Sequence, residues 1–200
     1  MRFTLGYIRH NNELFNKYLG ISIDLIKDSV DVISYDSSTG FPSSIYNRII
    51  DESENRYIIF SHEDIIFNDK LIDQINRTID IVGRFGVIGL VGKTENGKIT
   101  WSNENTVNKY VTVDCCFFIV DKENCIRFDE LTFDELHKYA EDYAMQCIEK
   151  GLCNYSILSK CESGKKDIAH ISHTCRTVGY KWGKWSTYHN LFNKKWSNRL

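Results

Sequence analysis

YIIFSHED (57–64) runs from four apolar and aromatic residues through a serine into a histidine and two acids. A continuous apolar run of this length is what a sheet strand buried on both faces requires. The polar end needs a separate explanation. In open α/β sheets, ligands sit beyond the carboxyl ends of the strands, so the residues that terminate an apolar strand face the ligand crevice. His62, Glu63 and Asp64 stand at such an end. The competing reading makes the same three residues caps of the next segment or partners of surface lysines.

Working outward, strand and helix patterns alternate. FTLGYI (3–8) is a short apolar strand, and NNELFNKYLGISIDLIKD (11–28) repeats at helical spacing through Leu14, Tyr18, Ile21 and Leu25, with Leu19 and Ile26 widening the stripe. VDVISYD (30–36) is a β-branched strand that also ends in an acid, Asp36, and SSTGFPSS gives turn chemistry before a short helix over about 44–52. After the opening strand, KLIDQINRTIDIVGR (70–84) is an amphipathic helix and FGVIGLVG (85–92) a buried strand that leads into a loop with Gly97 and an exposed Trp101. VTVDCCFFIVD (111–121) is one more strand, FDELHKYAEDYAMQCIEKG (133–151) holds a helix stopped by glycine, and NYSIL and KDIAHISHT add short strands before a Trp-rich tail. Such alternation predicts an α/β fold with a mainly parallel sheet covered by helices on both faces.

The bulk properties bound the function. Two hundred residues with 42% hydrophobic and 26% charged content suffice for one core, read as a single domain over 1–200. A net charge of -2 and a pI near 6.3 exert no general pull on nucleic acid or anionic membrane, although the last thirty residues are locally basic. No stretch approaches the roughly 18 apolar residues of a membrane span, and MRFTLGYIRHNN carries too short an apolar run for a secretory signal, so a cytoplasmic location is expected. Seven cysteines without a CxxC suggest neither a disulfide framework nor a zinc knuckle.

The order of motifs then narrows the class. An acidic His62-Glu63-Asp64 cluster after a strand is followed by VIGLVG (87–92), VDCCFFIV (113–120), the Arg-Phe-Asp-Glu run of 127–130, the helix segment HKYAED (137–142) and a terminal Lys195-Trp196. In this order the chain resembles the sugar-nucleotide-dependent glycosyltransferases of the GT-A fold. In particular it resembles the bacterial family 2-like enzymes of capsule and surface polysaccharide synthesis, whose metal motif reads His-any-Asp. The likeness runs from about Tyr46-Asn47 to Lys195-Trp196. It implies a nucleotide-donor half over about 1–110 and an acceptor half with a tail over about 111–200, a UDP-linked donor, and inversion at the sugar. The family places an acid directly after the tyrosine of the helix motif, where this chain has Ala140 and then Glu141 and Asp142. Either acid is a candidate catalytic base, with Asp142 the closer counterpart of the family's second acid. Asp36 resembles the acid that contacts base or ribose, with Tyr7 as a stacking wall, Asp114 near the donor or acceptor sugar, and Asn47, His62 and Glu63 completing the donor contacts.

The chemistry is consistent with that resemblance. A departing nucleoside diphosphate accumulates negative charge that a divalent cation neutralises well. Mn²⁺ or Mg²⁺ needs few protein oxygens, and Asp64 is the first expected ligand. AHISHT offers His173, or His170 as second choice, to complete the sphere. An inverting transfer needs a carboxylate to deprotonate the attacking hydroxyl, the expected role of Asp142 or Glu141. The acceptor is expected to be a glycan or lipid-linked glycan, with peripheral membrane contact open and no nucleic-acid partner. Two alternatives remain at this level: a nucleotidyltransferase on a similar sheet, and a non-catalytic nucleotide- or carbohydrate-binding module.

Overall fold

In the computed structural model, the described residues are 1–133, 138–159, 167–170 and 182–197. The opening stretch forms β3 (Tyr57–Ser61), every residue of it buried. β1 (Phe3–Arg9) and β2 (Val30–Asp36) lie beside it in the order β2-β1-β3, all parallel. On its other side comes β10 (Phe117–Asp121), antiparallel to β3 and to β5 (Val87–Gly89), followed by β11 (Asn154–Ser156) and β8 (Lys109–Tyr110). Within this seven-stranded sheet β2, β1, β3, β5 and β11 run one way, while β10 and β8 run the other. The sheet is therefore mainly parallel, as its strand and helix alternation predicts.

Alternation along β3 divides the core. Ile58 and Phe60 pack with α3 (Pro42–Glu52), α5 (Tyr139–Glu149) and α6 (Trp182–Trp196) through Tyr46, Ile49, Tyr143 and Phe192. Tyr57 and Ile59 face α2 (Leu19–Ile26) and α4 (Leu71–Val82) through Leu19, Leu71 and Ile75. Helices thus cover both faces. Each fully buried Ile or Phe contributes about 1.5–3 kcal/mol, and a one-residue slip would exchange the two sets, so the register is firmly set.

Three expected elements are divided, each for a visible reason. The single helix over 11–28 is two, α1 (Asn12–Lys17) and α2, because the Leu19 N–H donates to the carbonyl of Glu63 instead of continuing the ladder. The run 85–92 bends at Gly89 and Leu90, passing from β5 to β6 (Val91–Lys93), which pairs with β7 (Ile99–Trp101) and β9 (Thr112–Val113) in a second sheet. A Cβ at Gly89 would stand 2.8 Å from Val113 Cγ1, so the bend needs glycine. The run 111–121 divides at 114–116, where Asp114 Oδ1 accepts the Cys116 N–H at 2.9 Å in an Asx turn. The third sheet joins β4 (Ile65–Phe67) to β12 (Ile168–His170), with His170 opposite Ile65. The helix over about 44–52 begins two residues earlier, with Pro42 in its first turn, where a missing N–H costs nothing. The helix expected within 133–151 is described over Tyr139–Glu149. No described helix is long and apolar enough to cross a membrane.

Candidate active site

The carboxyl ends of β1, β2 and β3 bring Arg9, Asp36 and the His62-Glu63-Asp64 run to one edge of the sheet. Because β10 runs backward, its entrance, and not its end, reaches this edge, and the His62 N–H donates to the carbonyl of Cys116 at 2.9 Å. That bond places Asp114 and the Cys115-Cys116 pair beside the end of β3. The third contributor is the first turn of α5, where the Tyr139 hydroxyl lies 3.4 Å from His62 Nε2, a long contact.

The acids of these three elements act on the two cysteines between them. The buried Cys116 thiol is pushed up by burial, with Asp114 and Asp64 adding to the effect, and Cys115 is pushed up by burial and by Asp114 and Glu141. Burial also raises the carboxyl of Glu141; Lys138, whose Nζ is 2.8 Å from its Oε1, opposes the shift, and Asp114 adds to it. Asp114 thus acts on both cysteines from the β9–β10 turn, Asp64 on Cys116 from the run after β3, and Glu141 on Cys115 from α5. Asp64 is 2% exposed, Asp114 lies on the surface, and the side chain of Glu141 is 20% exposed. Among the described residues no group of three or more His, Cys, Asp or Glu side chains is placed to hold a metal ion. His170 ends β12 beside the strand that follows Asp64, and His173 lies outside the described residues.

The remaining sequence-selected residues are engaged in building the edge. Glu63 Oε2 accepts the backbone N–H groups of His10 at 2.9 Å and Asn11 at 3.0 Å, so this acid clamps the loop after β1 to the end of β3. Tyr7 is 2% exposed, stacks on Phe15 with ring centroids 5.1 Å apart, and its hydroxyl accepts from Arg9 Nη2 at 2.9 Å. Its faces are packed inside the protein. Asn47, 4% exposed, donates to Phe128 O at 3.0 Å and to Glu130 Oε1 at 2.6 Å, and accepts from Phe128 N at 2.9 Å. Asp36 stays at the surface, where its Oδ1 accepts from the Ser38 N–H and hydroxyl, and these bonds lower its carboxyl.

Asp142 points away from its neighbour Glu141. It is fully buried, and its two oxygens accept from Trp196 Nε1 at 2.8 Å, Gln146 Nε2 at 2.9 Å and Lys195 Nζ at 2.9 and 3.1 Å. Burial raises its carboxyl, against the pull of Lys195, Trp196 and Gln146. The Arg-Phe-Asp-Glu run is tied down as well: Arg127 pairs with Asp51, Asp129 with Lys195, and Glu130 accepts from Asn47. The sequence signalled Lys195 and Trp196 only as a shared terminal dipeptide. Their contact with Asp142 is set by the packing of α6 on α5, which no local pattern encodes.

The sequence matches no family model and no curated protein. Among solved structures, S. aureus TarS 1-349 in complex with UDP-GlcNAc has a TM-score of 0.53 at 14% identity, over 86% of this chain and 61% of that one. The mannosyltransferase PcManGT from Pyrobaculum calidifontis, in complex with GDP-Man and Mn²⁺, has a TM-score of 0.56 at 12% identity, over 76% of this chain and 53% of that one. A197 from STIV has a TM-score of 0.51 at 10% identity, over 84% and 83% of the two chains. This chain therefore spans little more than half the length of the first two. At these identities the likeness is one of fold: this chain has the Rossmann-like α/β architecture of structures solved with nucleotide sugars.

Proposed function

We propose that this chain transfers a sugar from a nucleotide donor, UDP-linked, to a glycan or other hydroxyl acceptor with inversion at the anomeric carbon. The observation that carries this reading is the gathering of Asp36, Asp64 and Asp114 at the carboxyl edge of the sheet, with the first turn of α5 brought beside it through the Tyr139 hydroxyl, 3.4 Å from His62 Nε2. Support comes from the shared fold with TarS bound to UDP-GlcNAc and PcManGT bound to GDP-Man.

The nucleoside lies over the ends of β1 and β2, where Asp36 takes ribose or base. Tyr7, Asn47 and Glu63 shape this edge through the contacts already described. Asp64 is the carboxylate that fits a hard divalent cation, with His173 or His170 as its companion, since Glu63 is committed to two backbone N–H groups. When bound there, Mn²⁺ or Mg²⁺ supplies neutralisation of the diphosphate charge. Glu141 takes the base role in preference to Asp142, because Glu141, bound through Oε1 to Lys138, keeps a side chain 20% exposed, whereas both oxygens of the fully buried Asp142 are occupied. Its raised carboxyl suits the task, since a base works best when its pKa approaches the working pH. The acceptor hydroxyl gives its proton to Glu141 as its oxygen bonds to the anomeric carbon. The bond from that carbon to the diphosphate breaks on the opposite face, and the electron pair leaves with the nucleotide. Asp114 and His62 line the sugar subsite.

A thermal-shift panel of nucleoside diphosphates and their sugars, each with and without Mn²⁺, tests the donor half of this reading. One nucleotide should raise the melting temperature of wild type in a metal-dependent way and fail to do so for Asp64→Ala. Donor turnover should fall about 10²- to 10⁴-fold in Glu141→Gln with donor binding retained. A flat panel in wild type, or full turnover in Glu141→Gln, refutes the corresponding assignment.

A further inference from the structure

Helix α5 starts on an unusual backbone. Its N-cap, Lys138, is a non-glycine residue at φ +70° whose side chain makes no capping hydrogen bond and instead reaches forward to Glu141 Oε1 at 2.8 Å. Left-handed backbone at such a residue is disfavoured, so the turn needs other contacts to hold it. Yet this first turn carries Glu141. Besides the Lys138–Glu141 pair, the turn is held laterally: Asp142, the next residue, is gripped by the last turn of α6 through Lys195 Nζ and Trp196 Nε1. Lys195 also reaches Asp129 Oδ2 at 2.7 Å, and the Trp196 ring is buried in the same core cluster as Tyr139 and Tyr143. Gln146, one turn along α5, closes the set by bonding both Asp142 Oδ2 and the carbonyl of Arg127.

We propose that Lys195 and Trp196 are positioning residues for the base: by holding Asp142 they fix the first turn of α5 behind the left-handed Lys138 and so aim Glu141 at the acceptor hydroxyl. This rests on the assignment of Glu141 as base. It gives Asp142 a role that neighbours catalysis without contacting substrate. It also makes the final helix, remote in sequence from the strand ends, a part of the catalytic apparatus.

The experiment follows donor hydrolysis by the full chain with Mn²⁺, using UDP-GlcNAc and GDP-mannose as probes, water replacing the acceptor. Lys195→Met and Trp196→Phe should keep the wild-type circular dichroism spectrum and a donor KM within about twofold, while kcat falls about 10- to 100-fold, the scale of a misplaced catalytic group. Lys195→Arg, which can still span Asp129 and Asp142, should recover most of the loss. Hydrogen exchange should quicken at residues 139–142. If Lys195→Met folds and turns over at the wild-type rate while Glu141→Gln is inactive, the positioning role is wrong and the base assignment stands. Full activity in Glu141→Gln, or no turnover of either donor by wild type, overturns the base reading and the positioning role with it. Should Trp196→Phe fail to fold, the contrast between Lys195→Met and Lys195→Arg decides alone: equal rates reject the proposal.

Discussion

Replacing Asn47 with alanine separates a structural amide from a donor ligand. Its side chain makes three hydrogen bonds, two of them to the backbone N–H and carbonyl of Phe128, a residue 3% exposed. The third partner, Glu130, is reached by solvent and can turn to water, so its loss costs little. The two Phe128 groups have no such recourse, and each buried group left without a partner costs about 1–3 kcal/mol. The sum is about 2–6 kcal/mol. At the roughly 2–4 °C per kcal/mol typical of a chain this long, the melting temperature should fall by about 4–24 °C. Asn47→Asp should be no better than alanine, because it sets a carboxylate against the Phe128 carbonyl and Glu130. Urea unfolding at constant m-value measures the loss directly, and calorimetry with nucleotide reports donor affinity on the folded fraction. A loss below about 1 kcal/mol together with a marked drop in nucleotide affinity would refute the argument and return Asn47 to the donor site.

Three further outcomes follow from the same geometry. Glu63→Ala removes the acceptor for two backbone N–H groups, so exchange at His10 and Asn11 should quicken and stability should fall by about 1–3 kcal/mol, with Glu63→Gln intermediate. The Asp129 carboxyl would be raised by burial, but the bonds from Lys195 and Thr132 outweigh this and hold it at about 2. A depressed carboxyl contributes stability that is present above its unfolded value near 4 and is lost as pH falls toward 2, so the gap in urea midpoint between wild type and Asp129→Asn should narrow over that window. Asp114 raises Glu141, so Asp114→Asn should move the acid limb of the kcat profile to lower pH; an unmoved limb would count against Glu141 as the titrating base.

Much of this protein can be read along the chain. The buried run at 57–61 and the acids after it specify a central strand and the polar end where it stops, because apolar length and its end are local properties. The period-2 and 3.6-residue patterns fix most helices and strands for the same reason. Where reading failed, a distant partner had intervened: the Glu63 carbonyl divides the first helix, and the second sheet takes the chain from Gly89 onward. The reversal of β10, which carries Asp114 to the carboxyl edge of the sheet, also depends on pairing with β3 and β5.

The candidate site divides along the same line. From sequence alone Asp36, Asp64, Asp114, Glu141 and Asp142 could all be named, although it left the start of α5 open and set Asp114 inside one continuous strand. Only the tertiary structure decided what each carboxylate faces. Glu141 and Asp142 are adjacent in the chain, yet a helix turns about 100° per residue. One therefore meets Lys138, and the other Lys195 and Trp196, more than fifty residues away. A side chain's chemistry is written in its own residue, but its direction and its partners are set by the elements that pack against it.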